Sequence, residues 1–121
     1  MAHELAEMAT ELQAARQLLW MAARAVEVQG DDYAYRYGHM AKVFAADTAV
    51  DVCRRSMELF GGAGIMFENE WPMQKYPRDA LSFLHSDGTQ TAHELSVIDD
   101  VRRRDRVGDG EPLDTPGPDD K

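Results

Sequence analysis

Two places in the 121-residue sequence put polar groups where chemistry could be done. The first is Asp87-Gly88-Thr89, a carboxylate, a glycine and a hydroxyl just ahead of a helical pattern. A carboxylate there has three uses: it caps the helix, acts as a base, or stands in solvent. The local pattern favours a cap, with Asp87 or Thr89 over the free N–H groups of the next helix, an arrangement that favours the charged carboxylate and lowers its pKa. A general base wants the opposite shift. The second place is Gly61-Gly62-Ala63-Gly64, whose backbone N–H groups suit a phosphate. Phosphate loops precede a helix, however, and this run follows one, so a helix stop is the local expectation.

Other reactive residue types point less clearly to a site. His3, His39, His85 and His93 are scattered, and no Glu-x-x-His pair recurs on two helices, so no metal site is expected and each histidine reads as solvated or satisfied. Cys53 lies on an apolar helical stripe with no basic residue placed to lower its pKa, and reads as a small hydrophobe. Arg78-Asp79, beside Tyr76 and Phe83, reads as a salt-bridge anchor.

The elements that must position these groups are helical. Leu5, Met8, Leu12, Ala15, Leu19, Ala22 and Val26 alternate at spacings of three and four and predict one helix face, ending at Gln29-Gly30, where Gly30 suits the left-handed cap. A second helix is predicted from about Tyr33 to Phe60, with Met40, Val43, Ala46, Val50, Cys53, Met57 and Phe60 on its stripe. From Gly61 to Trp71 an irregular connection is expected, and Pro72 and Pro77 each suit a first helical turn. Arg78 to Leu84 allows one or two turns. A last helix starts near Thr89, with Leu95, Ile98 and Val101 as its stripe and Arg102, Arg103 and Arg104 in its final turn, complementing the helix dipole. No segment alternates with strand periodicity. The expected fold is all-α, an up-and-down antiparallel helical bundle over residues 1–104, followed by an acidic tail, 105–121, rich in Gly, Pro and Asp and expected to be disordered.

With 22 acidic against 13 basic residues the chain carries a formal charge of -9, the wrong sign for a nucleic-acid surface. No apolar run approaches membrane-spanning length, and Met1 to Thr10 lacks the form of a signal peptide, so a soluble, cytoplasmic protein is expected.

The order of the motifs changes the local preferences. Leu5-Ala-Glu-Met-Ala-Thr-Glu-Leu-Gln-Ala-Ala-Arg16, His39-Met-Ala-Lys42, Glu58-Leu-Phe-Gly-Gly-Ala-Gly64, Pro72-Met-Gln-Lys-Tyr-Pro-Arg-Asp-Ala80 and Ser86-Asp-Gly-Thr89 follow one another in register. Together they resemble the C-terminal helical domain of the acyl-CoA dehydrogenases from Leu5 to about Arg104. The family usually has Gln at the position of Glu58 and Glu at that of Asp87, and a somewhat shorter stretch between Gly64 and Pro72.

The resemblance implies FAD-dependent α,β-dehydrogenation of an acyl-CoA thioester, with Asp87 at the position of the catalytic base that removes the α-proton. It places Gly88 against the substrate, Thr89, Gln90 and Thr91 in an FAD-contacting turn, and Glu58, Leu59, Phe60, Gly61 and Gly62 in a loop touching the FAD of a neighbouring subunit. The family's N-terminal helical and middle β domains have no counterpart, and the chain begins inside the first helix, so a fragment or a subunit of a split enzyme is expected. Such a chain would need another chain or the missing domains for activity, and would form homo- or hetero-oligomers through the bundle. A non-catalytic helical association module derived from the same family is the alternative.

Overall fold

The computed structural model describes residues 1–29, 31–66 and 73–108. The described residues form four α-helices and one 3₁₀ helix: α1 (Ala2–Gln29), α2 (Asp31–Leu59), the 3₁₀ helix (Gly61–Ile65), α3 (Lys75–Ser82) and α4 (Gln90–Gly108). No strand occurs among the described residues. α1 contains neither Gly nor Pro and is dominated by Ala, Leu, Glu, Gln and Arg, all strong helix formers.

α2 is the hub: among the described residues α1 packs on it alone, and α3, α4 and the 3₁₀ helix pack on it too. α1 and α2 run antiparallel through a seam of small side chains. Ala15, Ala22 and Ala25 of α1 and Ala41 and Thr48 of α2 are buried along it. At one end Met8 is buried, and the Ser56 hydroxyl lies 3.8 Å from its sulfur. There Arg55 draws Glu7 (2.8 Å), Glu11 (3.2 Å) and Asp51 (3.3 Å) together across the helices. Leu5, Leu19 and Val26, expected on the buried stripe, flank the seam and stay about half exposed. The alanines, being smaller, occupy the line of closest approach.

α4 returns antiparallel to α2. Arg36 meets Asp100 at 2.6 Å, His39 meets His93, and the Gln90 side chain donates to the Val43 carbonyl at 3.1 Å. The half-buried face of α4 is thus Gln90, His93, Ser96, Val97 and Asp100, a mostly polar line. Leu95, Ile98 and Val101, the predicted core stripe, point outward, Leu95 with 60% of its surface exposed. The apolar period is present along α4, but the polar partners on α2 claim the opposite face.

The all-α, up-and-down arrangement is as expected. Gly61–Ile65, expected to be irregular, forms a 3₁₀ helix. Pro77 falls in the first turn of α3. α4 continues to Gly108, beyond Arg104. The expectations for Gly30 and Pro72, and for the tail from residue 109 on, fall outside the described residues. No helix among them is long and apolar enough to cross a membrane.

Candidate functional site

The segment between α3 and α4 is wound tightly. N–H groups of Phe83, Leu84 and His85 donate to carbonyls three residues back, prolonging α3 as a 3₁₀ turn, and the Gln90 N–H reaches back to Leu84 O at 3.0 Å to close the loop. Chain reversal then falls on two left-handed residues, Asp87 at φ 58 and Gly88 at φ 117. Asp is among the few side chains that adopt this region readily. Gly88 is required twice over: its φ disfavours a side chain, and a Cβ there would lie 3.0 Å from His93 Nε2.

The helix cap belongs to Thr89. Its Oγ1 accepts from the Ala92 N–H at 3.3 Å, in the N-cap position of α4. Asp87 is left exposed, and its carboxylate has no hydrogen bond or ion pair among the described residues. The N–H groups of Asp87 and Gly88 have no acceptor among the described residues. Thr91 is exposed on the first turn of α4, whereas Gln90 turns inward, its Nε2 on Val43 O and its Oε1 buried without a partner among the described residues. The edge of this end therefore presents a carboxylate, two free backbone donors and hydroxyls.

The second group lies elsewhere. Glu58 pairs with Arg54 at 2.6 Å, and Arg54 also holds Asp51 at 2.7 Å. These contacts pull the Asp51 carboxyl below its usual range, the Arg54 hydrogen bond first, against a smaller opposing effect of burial. Leu59 is half-buried and Phe60 exposed. Gly61 takes φ +59 to end α2, and a Cβ on Gly64 would lie 2.7 Å from Met57 O, so the 3₁₀ helix can fold onto α2 only with glycine there. Gly62 is exposed, and a Cβ on it would meet nothing within 4 Å. From the Gln90 anchor at Val43 to the Gly64 contact at Met57 is fourteen residues of α2, about 20 Å along its axis. The structure brings Asp87, Gly88, Thr89, Gln90 and Thr91 together and holds Glu58 to Gly62 apart from them.

Three further expectations meet their surroundings here. Cys53 is half-buried, and desolvation pushes its thiol up, away from reactivity. Asp79 pairs with Lys75 at 3.8 Å and not with Arg78. His93, read from the sequence as an ordinary histidine, donates from Nε2 to the Asp87 carbonyl at 3.1 Å. Its partner His39 is 54 residues away in the chain, so no local pattern links them.

The acyl-CoA dehydrogenase C-terminal domain model matches residues 1–101. Over 102 residues, 84% of this chain, it is 31% identical to an isobutyryl-CoA dehydrogenase of Dictyostelium discoideum, of which it covers 24%. Over 76 residues, 63% of this chain, it is 41% identical to a cyclohex-1-ene-1-carbonyl-CoA dehydrogenase of Geobacter metallireducens, of which it covers 19%. Over 85 residues, 69% of this chain, it is 42% identical to a 3-sulfinopropanoyl-CoA desulfinase of Variovorax paradoxus, of which it covers 20%. The chain thus spans a quarter or less of the length of these relatives.

Proposed function

From the premise that this chain belongs to the acyl-CoA dehydrogenase family through its C-terminal domain, we propose that it is the helical part of an FAD-dependent enzyme acting on an acyl-CoA thioester, with Asp87 as the base. One observation supports the assignment: Thr89, not Asp87, caps α4, which leaves the Asp87 carboxylate at an exposed turn with no partner among the described residues, and the motif resemblance assigns the family's base to that residue. The three relatives named above differ in acyl group, and one is named for desulfination, but each is named for a CoA thioester. The thioester is therefore the substrate feature most safely carried over.

In this reading Asp87 takes the proton alpha to the thioester carbonyl. The unpaired N–H of Asp87 receives that carbonyl oxygen, which lowers the pKa of the α-proton as it is removed. Gly88 leaves the backbone open to the substrate. Thr89, Gln90 and Thr91 would line the flavin; the exposed Thr91 hydroxyl suits that role, while Gln90 is engaged within the chain and acts by anchoring the turn. Bound FAD would supply the hydride acceptor. Gly62, whose small size nothing in its own chain demands, suits contact with a neighbouring subunit's cofactor, and Glu58 held by Arg54 suits it less.

The remainder of the site comes from further domains or another chain. Water has free access to the Asp87 turn here, and a carbanion-like transition state needs it excluded. The outward Leu95, Ile98 and Val101, with Leu19, Trp20 and Phe60, offer apolar surface for such a partner or for a second copy of this chain. Mixing the chain with the N-terminal and middle domains of a family member and recording the flavin absorption spectrum of the purified complex tests the proposal. Retained flavin is the expected result. A stable complex that holds no flavin would instead make the chain a helical association module.

A further inference from the structure

Two imidazoles meet across the α2–α4 seam, both half-buried. His39 Nδ1 lies 2.7 Å from His93 Nδ1, and His93 Nε2 lies 3.1 Å from the Asp87 carbonyl oxygen. A carbonyl only accepts, so His93 Nε2 carries a hydrogen. In the neutral ring Nδ1 of His93 is then the lone-pair nitrogen, and His39 must donate to it from its own Nδ1. That leaves His39 Nε2 with a lone pair, and this atom is buried with no hydrogen-bond partner among the described residues. The contacts thus fix one tautomer for each ring, and the two tautomers differ.

An added proton has no good place. On His39 Nε2 it makes a buried, unpartnered N–H; between the rings it sets two N–H groups head to head, unless His39 moves its own hydrogen to that same buried nitrogen. The surroundings do not offset this. Tyr35 meets His39 edge-on, ring centroids 4.2 Å apart, with no charge to offer. One turn to either side on α2, Arg36 is paired with Asp100 and the Lys42 ammonium lies on the Phe83 carbonyl, so neither flanking side chain brings a negative charge and the Asp100 carboxylate is already engaged. On α4 Glu94 is exposed, and from the turn Asp87 presents its carbonyl to His93 while its carboxylate is free in solvent. Burial first, then the charge of His93, lower the His39 pKa from the ordinary 6.5.

We propose that His93, locked in one tautomer by His39, is a positioning residue for the Asp87-Gly88 turn, and that it holds the turn only while both rings are neutral. Its bearing on catalysis rests on Asp87 being the base. The hydrogen bond to the Asp87 carbonyl fixes the peptide that follows the carboxylate, and Gly88 is the residue that lets the imidazole come this close. An added proton either buries an unpartnered N–H at His39 Nε2 or sets two N–H groups head to head, and either way it loosens the grip of His39 on the ring that holds the turn.

NMR of the isotope-labelled full chain tests this without flavin or acyl-CoA, so its outcome is separate from that of the functional proposal. Long-range proton–nitrogen spectra at pH 7.5 should show the Nδ1–H tautomer for His39 and Nε2–H for His93. The Gly88 amide resonance should follow a single pH step with its midpoint below 6.5, the ordinary histidine value. His93→Gln, whose amide can still donate to the Asp87 carbonyl, should keep the Gly88 resonance near its native place and lose the step. His39→Phe, which removes the donor to His93 Nδ1, should weaken the preference of His93 for the Nε2–H tautomer at pH 7.5. The same tautomer in both rings, a flat Gly88 profile in the native chain, a step surviving His93→Gln, or a His93 tautomer preference unmoved by His39→Phe overturns the proposal. If a variant does not fold, the native tautomers and midpoint decide alone.

Discussion

Asp100 of α4 is gripped by Arg36 of α2 at 2.6 Å, and Arg104, one turn further along α4, closes on the same oxygen at 2.6 Å. This cluster pins the far end of the α2–α4 seam, as Gln90 on Val43 pins the near end. Because the side chains of Arg36 and Asp100 are only 17% and 23% exposed, the pair should matter more than a surface ion pair. Asp100→Ala should lower the denaturant midpoint by the equivalent of about 1 to 2 kcal/mol, since it removes a part-buried carboxylate that two arginines share. Arg102→Ala, whose ion pair at 3.9 Å is exposed, should shift it little.

The same groups set a pH dependence whose sign can be worked out. Burial raises the Asp100 pKa, but the Arg104 and Arg36 hydrogen bonds outweigh it and leave it lowered. A lowered carboxylate contributes stability above its unfolded value of 3.8 that is lost as pH falls through the folded value. A lowered histidine binds its proton less readily folded than unfolded, so His39 contributes stability above 6.5 that is lost as pH falls below it. Denaturant midpoints recorded from pH 8 to pH 2.5 should therefore fall in two steps. His39→Phe should remove the upper one and Asp100→Asn should shrink the lower.

Glycine substitutions should separate folding from function in the 61–64 run. Gly64→Ala puts a Cβ 2.7 Å from the Met57 carbonyl, a backbone atom that cannot swing aside, and should cost about 1 to 3 kcal/mol. Gly62→Ala meets nothing within 4 Å and should change the midpoint of the isolated chain by no more than about 0.5 kcal/mol. In the flavin-loaded complex Gly62→Ala should weaken cofactor retention, read as flavin lost on dilution.

Much of this architecture is legible in the sequence because long helices declare themselves by period. The boundaries at Gln29 and Leu59, and the start of the last helix beside Thr89, follow from glycines and a capping hydroxyl next to periodic runs. Which face of a helix is buried is a different matter. Leu95, Ile98 and Val101 form a sound apolar stripe, yet α4 lies on α2 by Gln90, His93 and Asp100. Pairing of that kind depends on residues such as Arg36 and His39, some fifty or more positions away, and no window of sequence contains both partners. The turn shows the same division: Asp87-Gly88-Thr89 is recognisable as a helix entry, but that Thr89 takes the cap and Asp87 does not is decided by backbone angles.

The outward stripe leads to a prediction about association. Leu95, Ile98 and Val101 leave 40 to 60% of their surfaces exposed on one helix face, an apolar stripe open to association. Sedimentation velocity should show self-association of the isolated chain, and Leu95→Glu with Ile98→Glu should shift it to a smaller species while helical circular dichroism is kept. A native chain that sediments as a monomer at every concentration would count against this face as a homo-oligomer surface.

The role of Asp87 is tested most directly by exchange of the α-proton. The flavin-loaded complex, incubated with a saturated acyl-CoA in deuterated water, should incorporate deuterium alpha to the thioester. Asp87→Asn, which keeps shape and removes the base, should slow that incorporation by about 100-fold or more while flavin is retained. Undiminished incorporation in Asp87→Asn would show that the proton leaves to another group and would contradict the assignment.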